Sequence, residues 1–130
     1  MHPRLYQIVL FRLGSDEANQ ILIELISGNF LNEHRFAEAY VKGKFKIKSW
    51  GKQKIIQGLN TAGVSKKLIE NSLEEIDPKA YLKTLISLAV KKRATLKEGT
   101  EFEKTIKIQR YLLSKGYKYD EISEALKLED

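Results

Sequence analysis

Residues 42–54 read KGKFKIKSWGKQK, with six lysines, one tryptophan and no acid. A dense run of such side chains attracts anions. An ammonium on a flexible stem neutralises a phosphate or a carboxylate as a point charge. An aromatic ring among such groups stacks on a base or wedges into a partner. The imbalance is local. Residues 1–38 hold three Arg or Lys against five Asp or Glu, residues 39–69 hold eight Lys and no acid, and residues 70–130 hold twelve of each kind. The net charge of +6 therefore belongs to one middle block. A charge run is ordinarily a solvated face, but exclusion of acids over a block of this length marks a working surface. The candidate contact residues are Lys42, Lys44, Lys46, Lys48, Trp50, Lys52 and Lys54, extended by Lys66 and Lys67. Lysine reads no base sequence, so any DNA contact is expected to be backbone-directed and salt-sensitive. For Trp50 the competing reading is a packing wedge at a helix start, the commoner fate of a lone tryptophan.

Other chemistries find little footing. The chain has no cysteine, which excludes a disulfide scaffold, a thiolate zinc site and a cysteine nucleophile. Its two histidines, His2 and His34, stand in no metal-ligand spacing, and no phosphate-cradling glycine loop or nucleophile elbow occurs. Glu74 and Glu75 sit among lysines with no apolar pocket to raise a carboxyl pKa. The expectation is a protein that is not an enzyme and takes no cofactor or metal. No apolar stretch is long enough to span a membrane and no signal-peptide cleavage site is visible, so a cytoplasmic location without membrane contact is expected.

The elements that must carry the lysines read as short helices. The composition is 42% hydrophobic, enough for a packed core, and the only two prolines are Pro3 and Pro78. Ser15 is placed to cap a helix with Ala18, Ile21, Leu22, Leu25 and Ile26 on one face, stopped by Gly28 and Asn29. Asn32 is the expected cap of the next helix, whose apolar face is Phe36, Ala39, Tyr40 and Gly43. Ser49 is the expected cap of a third, with Ile55, Ile56, Leu59 and Ala62 inward and Gly63 as its stop. Val64, Leu68, Ile69, Ser72, Leu73 and Ile76 continue the pattern, and Asp77-Pro78 opens the helix bearing Tyr81, Leu82, Leu85, Ile86 and Ala89. Two more helices fit around 101–115 and 119–128. KGKFKIK alternates like a strand but has no partner strand, so it is assigned to a helix end running into a turn at Lys48-Ser49. The fold class is all-α.

An internal repeat is visible. Residues 54–73, KIIQGLNTAGVSKKLIENSL, align without a gap to residues 107–126, KIQRYLLSKGYKYDEISEAL. Lys54/Lys107, Ile55/Ile108, Leu59/Leu112, Gly63/Gly116, Ile69/Ile122 and Leu73/Leu126 are identical pairs, and the glycine separates two helices in each copy. YQIVLFRLGSDEANQILIEL looks like a shortened third copy. Small helical repeats stack into an elongated, curved body that binds along its length.

The stretch NFLNEHRFAEAYVKGKF, followed by WGKQKIIQGLNTAGVSKKLIENSLEEID, is similar to the motif region of the RecX regulatory proteins. Phe30, Leu31, Asn32 and Glu33 occupy the family's Gly-aromatic-Leu-Asp-Asp element, and Arg35, Phe36 and Ala37 its Arg-Phe-Ala helix. Gly51, Lys52, Lys54, Ile55, Leu59, Gly63 and Val64 match its Gly-basic-x-Ile-x-x-x-Leu helix and closing glycine. RYLLSKGYKYDEISEAL resembles the last repeat. The resemblance covers roughly residues 15–127. It implies tandem three-helix repeats in a slightly curved rod, with units near 1–32 (shortened), 33–76 (basic) and 77–130. It further implies a monomeric regulator that binds the RecA filament on single-stranded DNA and restrains recombination, ATP hydrolysis and coprotease activity. Two other readings stand beside it: a general nucleic-acid-binding helical module with no recombinase partner, and an adaptor whose lysines only solubilise it. Arg35 is assigned to a local pair with Glu33 or Glu38, and Phe30, Phe36, Tyr40 and Phe45 to the core. Tyr111, Tyr117 and Tyr119 near Arg110 and Lys115 are assigned to packing rather than to a second contact zone.

Overall fold

The computed structural model describes residues 31–128. The expectations for Ser15, for the helix at 18–26, for Phe30 and for the shortened repeat copy lie outside the described residues. Within them the chain forms six helices and no strand: α1 (Leu31–Lys46), α2 (Lys52–Thr61), α3 (Lys66–Leu73), α4 (Pro78–Thr95), α5 (Glu101–Ser114) and α6 (Tyr119–Leu128). The order is two successive sets of three. The helices pack into two compact units. One holds α1, α3 and α2 from Ile55 onward; the other takes Ser49–Lys54 together with the chain from Ile76 onward.

In the first unit, α1 packs on α3 and buries Phe36, Ala37, Tyr40, Val41, Lys44 and Phe45. The buried stripe is two residues wide and recurs every four, as a helix of 3.6 residues per turn requires. It differs from the expected face in taking Ala37 and Val41 in place of Ala39 and Gly43, which are only half-buried. The helix also starts at Leu31, before the expected cap at Asn32. Tyr40 lies so close to α2 that a Cβ on Gly58 would overlap its hydroxyl. Ile55, Leu59 and Ala62 of α2 and Val64, Ile69 and Ser72 at α3 complete this core. Ser65 caps α3, accepting from the Leu68 N–H at 3.3 Å.

The second unit repeats the plan with better helix starts. Asp77 caps α4, accepting from the Ala80 N–H at 3.0 Å ahead of Pro78 in the first turn. Thr100 and Glu103 form a reciprocal capping box at α5. Tyr81, Leu85, Ala89, Ile108, Leu112, Tyr117, Ile122 and Ala125 fill the core.

The repeated turn is the same in both copies. Gly63 has φ +86° and Gly116 φ +103°. The Gly63 N–H donates to Asn60 O and the Val64 N–H to Leu59 O; at the matching offset Gly116 donates to Leu113 O and Tyr117 to Leu112 O. The left-handed residue lets the chain reverse while satisfying the last helical carbonyls. The surroundings differ. A Cβ on Gly63 would meet nothing within 4 Å, whereas one on Gly116 would lie 2.5 Å from the Lys54 Cβ and 2.7 Å from the Lys54 N.

Urea unfolding should therefore separate the two glycines. Gly63→Ala is expected to cost about 1–2 kcal/mol for the left-handed backbone alone, and Gly116→Ala about 3 kcal/mol or more because overpacking adds to it. Equal effects would mean that the close approach at Gly116 relaxes freely. A second contrast comes from Ser72, buried with no hydrogen-bond partner for its hydroxyl among the described residues, where the repeat copy has the buried Ala125. Ser72→Ala is expected to leave stability unchanged or raise it by about 1 kcal/mol in the same measurement.

Candidate functional site

Among the described residues, the exposed lysines of the first unit fall at two places. Lys42 and Lys46 project from the last turns of α1 and Lys48 from the turn beyond it, while Lys66 and Lys67 open α3. All five are exposed. Lys44 is not among them: it is 5% exposed, with its ammonium 5.6 Å from the centroid of the Tyr40 ring. Strand-like alternation would put Lys42, Lys44 and Lys46 on one side. On a helix each step of two residues turns about 200°, so position 44 swings inward between two outward lysines. Lys44 thus belongs to the core stripe and drops out of the exposed contact set.

Lysines at the start of α2 and α3 run against helix electrostatics. The first turn of each holds no acid, whereas α5 begins with Glu101 and Glu103 and α6 with Asp120 and Glu121. An ammonium at the positive end of a helix dipole costs about 0.3–1 kcal/mol where an acid would gain as much. For folding this placement is unfavourable. For an incoming anion it is favourable, because the helix dipole and the ammoniums attract the same sign of charge.

Trp50, Lys52 and Lys54 belong to the second unit, and their surroundings are specific. Ser49 is not the expected cap of α2; it has φ +58°, and the helix starts three residues later at Lys52. The first amides of α2 find tertiary acceptors instead. The Gly51 N–H donates to Lys115 O at 2.7 Å, the Lys52 N–H to the Tyr81 hydroxyl at 2.9 Å, and the Gln53 N–H to Gly116 O at 2.9 Å. The Tyr117 hydroxyl donates to Ser49 O at 2.9 Å. A Cβ on Gly51 would overlap the Gly116 backbone, so glycine is required on both sides of this contact. The lysines then settle on rings: the Lys52 ammonium is 4.8 Å from the Tyr81 centroid and the Lys54 ammonium 4.5 Å from that of Trp50. Trp50, Lys52 and Lys54 are each half-buried.

The residues that sequence reasoning missed are Tyr81, Glu121 and Gly116 in their role as supports for this turn. Periodicity assigns Tyr81 to an apolar face, yet its hydroxyl also donates to Glu121 Oε1 at 3.4 Å, and that oxygen accepts from the Lys118 N–H at 2.9 Å. The local signal is thin: a tyrosine where an aliphatic residue would fill the core. Tyr117 is buried, as its packing assignment expects, and Tyr111 is half-buried beneath the Lys92 ammonium at 5.0 Å, but Tyr119 is 61% exposed. Glu38 pairs with His34 Nε2 at 2.5 Å. Among the described residues no three His, Cys, Asp or Glu are grouped to hold a metal, and no helix is long and apolar enough to cross a membrane.

Comparison with known proteins places this geometry. The family descriptions "RecX, second three-helix domain" and "RecX, third three-helix domain" match residues 32–73 and 80–126, the two sets of three helices. A regulatory protein RecX from Clostridium botulinum is 39% identical over 101 residues, 76% of this chain and 47% of that protein. Another, from Pelodictyon phaeoclathratiforme, is 30% identical over 115 residues, covering 88% of this chain and 70% of its own length. The crystal structure of RecX from Lactobacillus salivarius superposes with a TM-score of 0.72 at 23% identity, covering 95% of this chain and 80% of that one. The chain spans about half the length of the clostridial relatives it matches, from 43% to 58%.

The two tyrosines behind the turn carry a pH signature. Burial, ahead of the charge of Glu121, pushes both phenols well above their ordinary value of 10.0; at Tyr81 the Lys52 N–H opposes it in part. The unfolded chain therefore releases these protons first, so the stability they support is intact below pH 10 and is lost as pH rises beyond it. Thermal melts from pH 8 to about 12 should show Tyr81→Phe and Tyr117→Phe losing stability less steeply than the parent above pH 10. Parallel curves for all three proteins would contradict the assignment.

Proposed function

Because this chain belongs to the RecX family of regulatory proteins, we propose that it regulates the RecA recombinase by binding the RecA–DNA filament in the cytoplasm, as a monomer and without chemistry of its own. The units at 33–76 and 77–130 serve as successive footprints. The observation that carries this reading is the acid-free basic block: five exposed lysines at Lys42, Lys46, Lys48, Lys66 and Lys67, and helix starts charged against their own dipoles. A filament groove presents DNA phosphates and acidic side chains together, and both suit point-charge ammoniums that read no sequence. Regulation follows from preference. A ligand that holds one conformation of neighbouring subunits more tightly than another shifts the filament toward it, and restraint of strand exchange and ATP hydrolysis is the outcome.

The test is DNA-dependent ATP hydrolysis by the cognate RecA filament, preformed on single-stranded DNA, while the protein is titrated in. Hydrolysis is expected to fall at concentrations that leave naked DNA barely bound. The triple variant Lys42→Glu, Lys46→Glu, Lys48→Glu should need about tenfold more protein for the same inhibition while still melting as a folded protein, since all three side chains are exposed. Unaltered hydrolysis together with tight, salt-steep binding to naked DNA would instead mark a general nucleic-acid-binding module.

A further inference from the structure

Ser49–Lys54 lies between α1 and α2 in the sequence yet packs as part of the second unit. Its backbone is held at four successive points, by the Tyr117 hydroxyl on Ser49 O, Lys115 O on the Gly51 N–H, the Tyr81 hydroxyl on the Lys52 N–H and Gly116 O on the Gln53 N–H. We propose that Tyr81 and Tyr117 are positioning residues of the contact surface, whose hydroxyls set the turn that presents Trp50, Lys52 and Lys54. The third three-helix domain thereby controls the basic turn of the second. The functional half of this inference rests on the reading of that surface as a filament contact.

The two hydroxyls do more than fill space. The residue equivalent to Tyr117 in the other copy of the turn is Val64, also buried, so an aliphatic side chain satisfies the packing there. The space above Gly63 is open, while that above Gly116 is taken by the backbone and Cβ of Lys54. The second copy of one turn has thus gained a docked segment and, with it, a hydroxyl aimed at that segment. Tyr81 pins Lys52 twice, accepting from its N–H and lying 4.8 Å below its ammonium. α2 begins at Lys52 with its first two amides on tertiary acceptors, so without the Tyr81 hydroxyl the Lys52 N–H loses its partner. The rings of Tyr81 and Tyr117 pack against each other at 5.2 Å, and Glu121 links Tyr81 to the first turn of α6. Ser49, held by Tyr117, has a positive φ that a non-glycine residue adopts only when its surroundings impose it.

Tyr81→Phe and Tyr117→Phe keep the rings and delete only the hydroxyls; Tyr111→Phe, whose ring lies under Lys92, is the control. Two readouts are taken on the same proteins. Amide hydrogen exchange at Gly51, Lys52 and Gln53 should speed up about tenfold or more in both hydroxyl variants, with Leu85 in the core of the unit unchanged. The concentration that halves ATP hydrolysis by the RecA filament should rise several-fold, and its dependence on salt should lose about one phosphate's worth of slope as Lys52 comes off register. Tyr111→Phe should move neither. Unchanged exchange at the three amides overturns the proposal whatever the filament does. Faster exchange with parent-like inhibition and salt slope overturns the positioning role. If the parent itself fails to inhibit, the filament reading falls on its own, and exchange still decides whether the tyrosines hold the turn.

Discussion

The physical constraint on which most of this structure depends is the need of a helix start for acceptors. α2 begins with lysines rather than with a serine, threonine or acid, so its first amides have no local partner. They are satisfied by the α5–α6 turn and by Tyr81, and this is possible only because glycines stand at 51 and 116, where a Cβ on either would strike the opposite backbone. The segment from Ser49 to Lys54 thus folds with the second unit although its neighbours in sequence belong to the first. A non-local hydrogen-bond requirement, rather than chain order, decides which unit the basic turn joins.

The same constraint explains how so much charge of one sign is accommodated. With no acid between 39 and 69, the lysines cannot be neutralised within their own block. The chain uses other means. Lys44 is withdrawn into the core against Tyr40, Lys52 and Lys54 lie over aromatic faces, and Lys42, Lys46, Lys48, Lys66 and Lys67 are exposed. Each solution leaves the positive charge in place. The later helices, where acids and bases alternate, use ordinary devices such as the Thr100–Glu103 capping box and the Arg93–Glu101 pair at 2.8 Å. Within one chain, the middle block stands apart in carrying charge of a single sign.

Repetition supplies the scaffold and departures from repetition supply the specialisation. The two helix–glycine–helix turns share backbone hydrogen bonds at the same offset, and both sets of three helices match successive RecX domains. Where the copies differ, the difference has a visible use. Val64 becomes Tyr117 and gains a bond to Ser49, the open space over Gly63 becomes the docking site over Gly116, and Gly58, which admits the Tyr40 ring, stands opposite Tyr111 in the alignment.

The sequence by itself determined the helical class, the cap at Asp77-Pro78, the left-handed glycines and the location of the basic block. All of these are local: periodicity, cap chemistry and charge are written within a few residues of where they act. Tertiary structure alone decided which lysines face water, because burial of Lys44 depends on which helix face meets the core. It also decided that Ser49 is a strained turn residue instead of a cap, since the backbone acceptors that replace a cap lie far along the chain, at Lys115 and Gly116. Hydrogen bonds between distant backbone groups carry no residue-type signature beyond the glycines that permit them, so that part of the design becomes visible only in the folded chain.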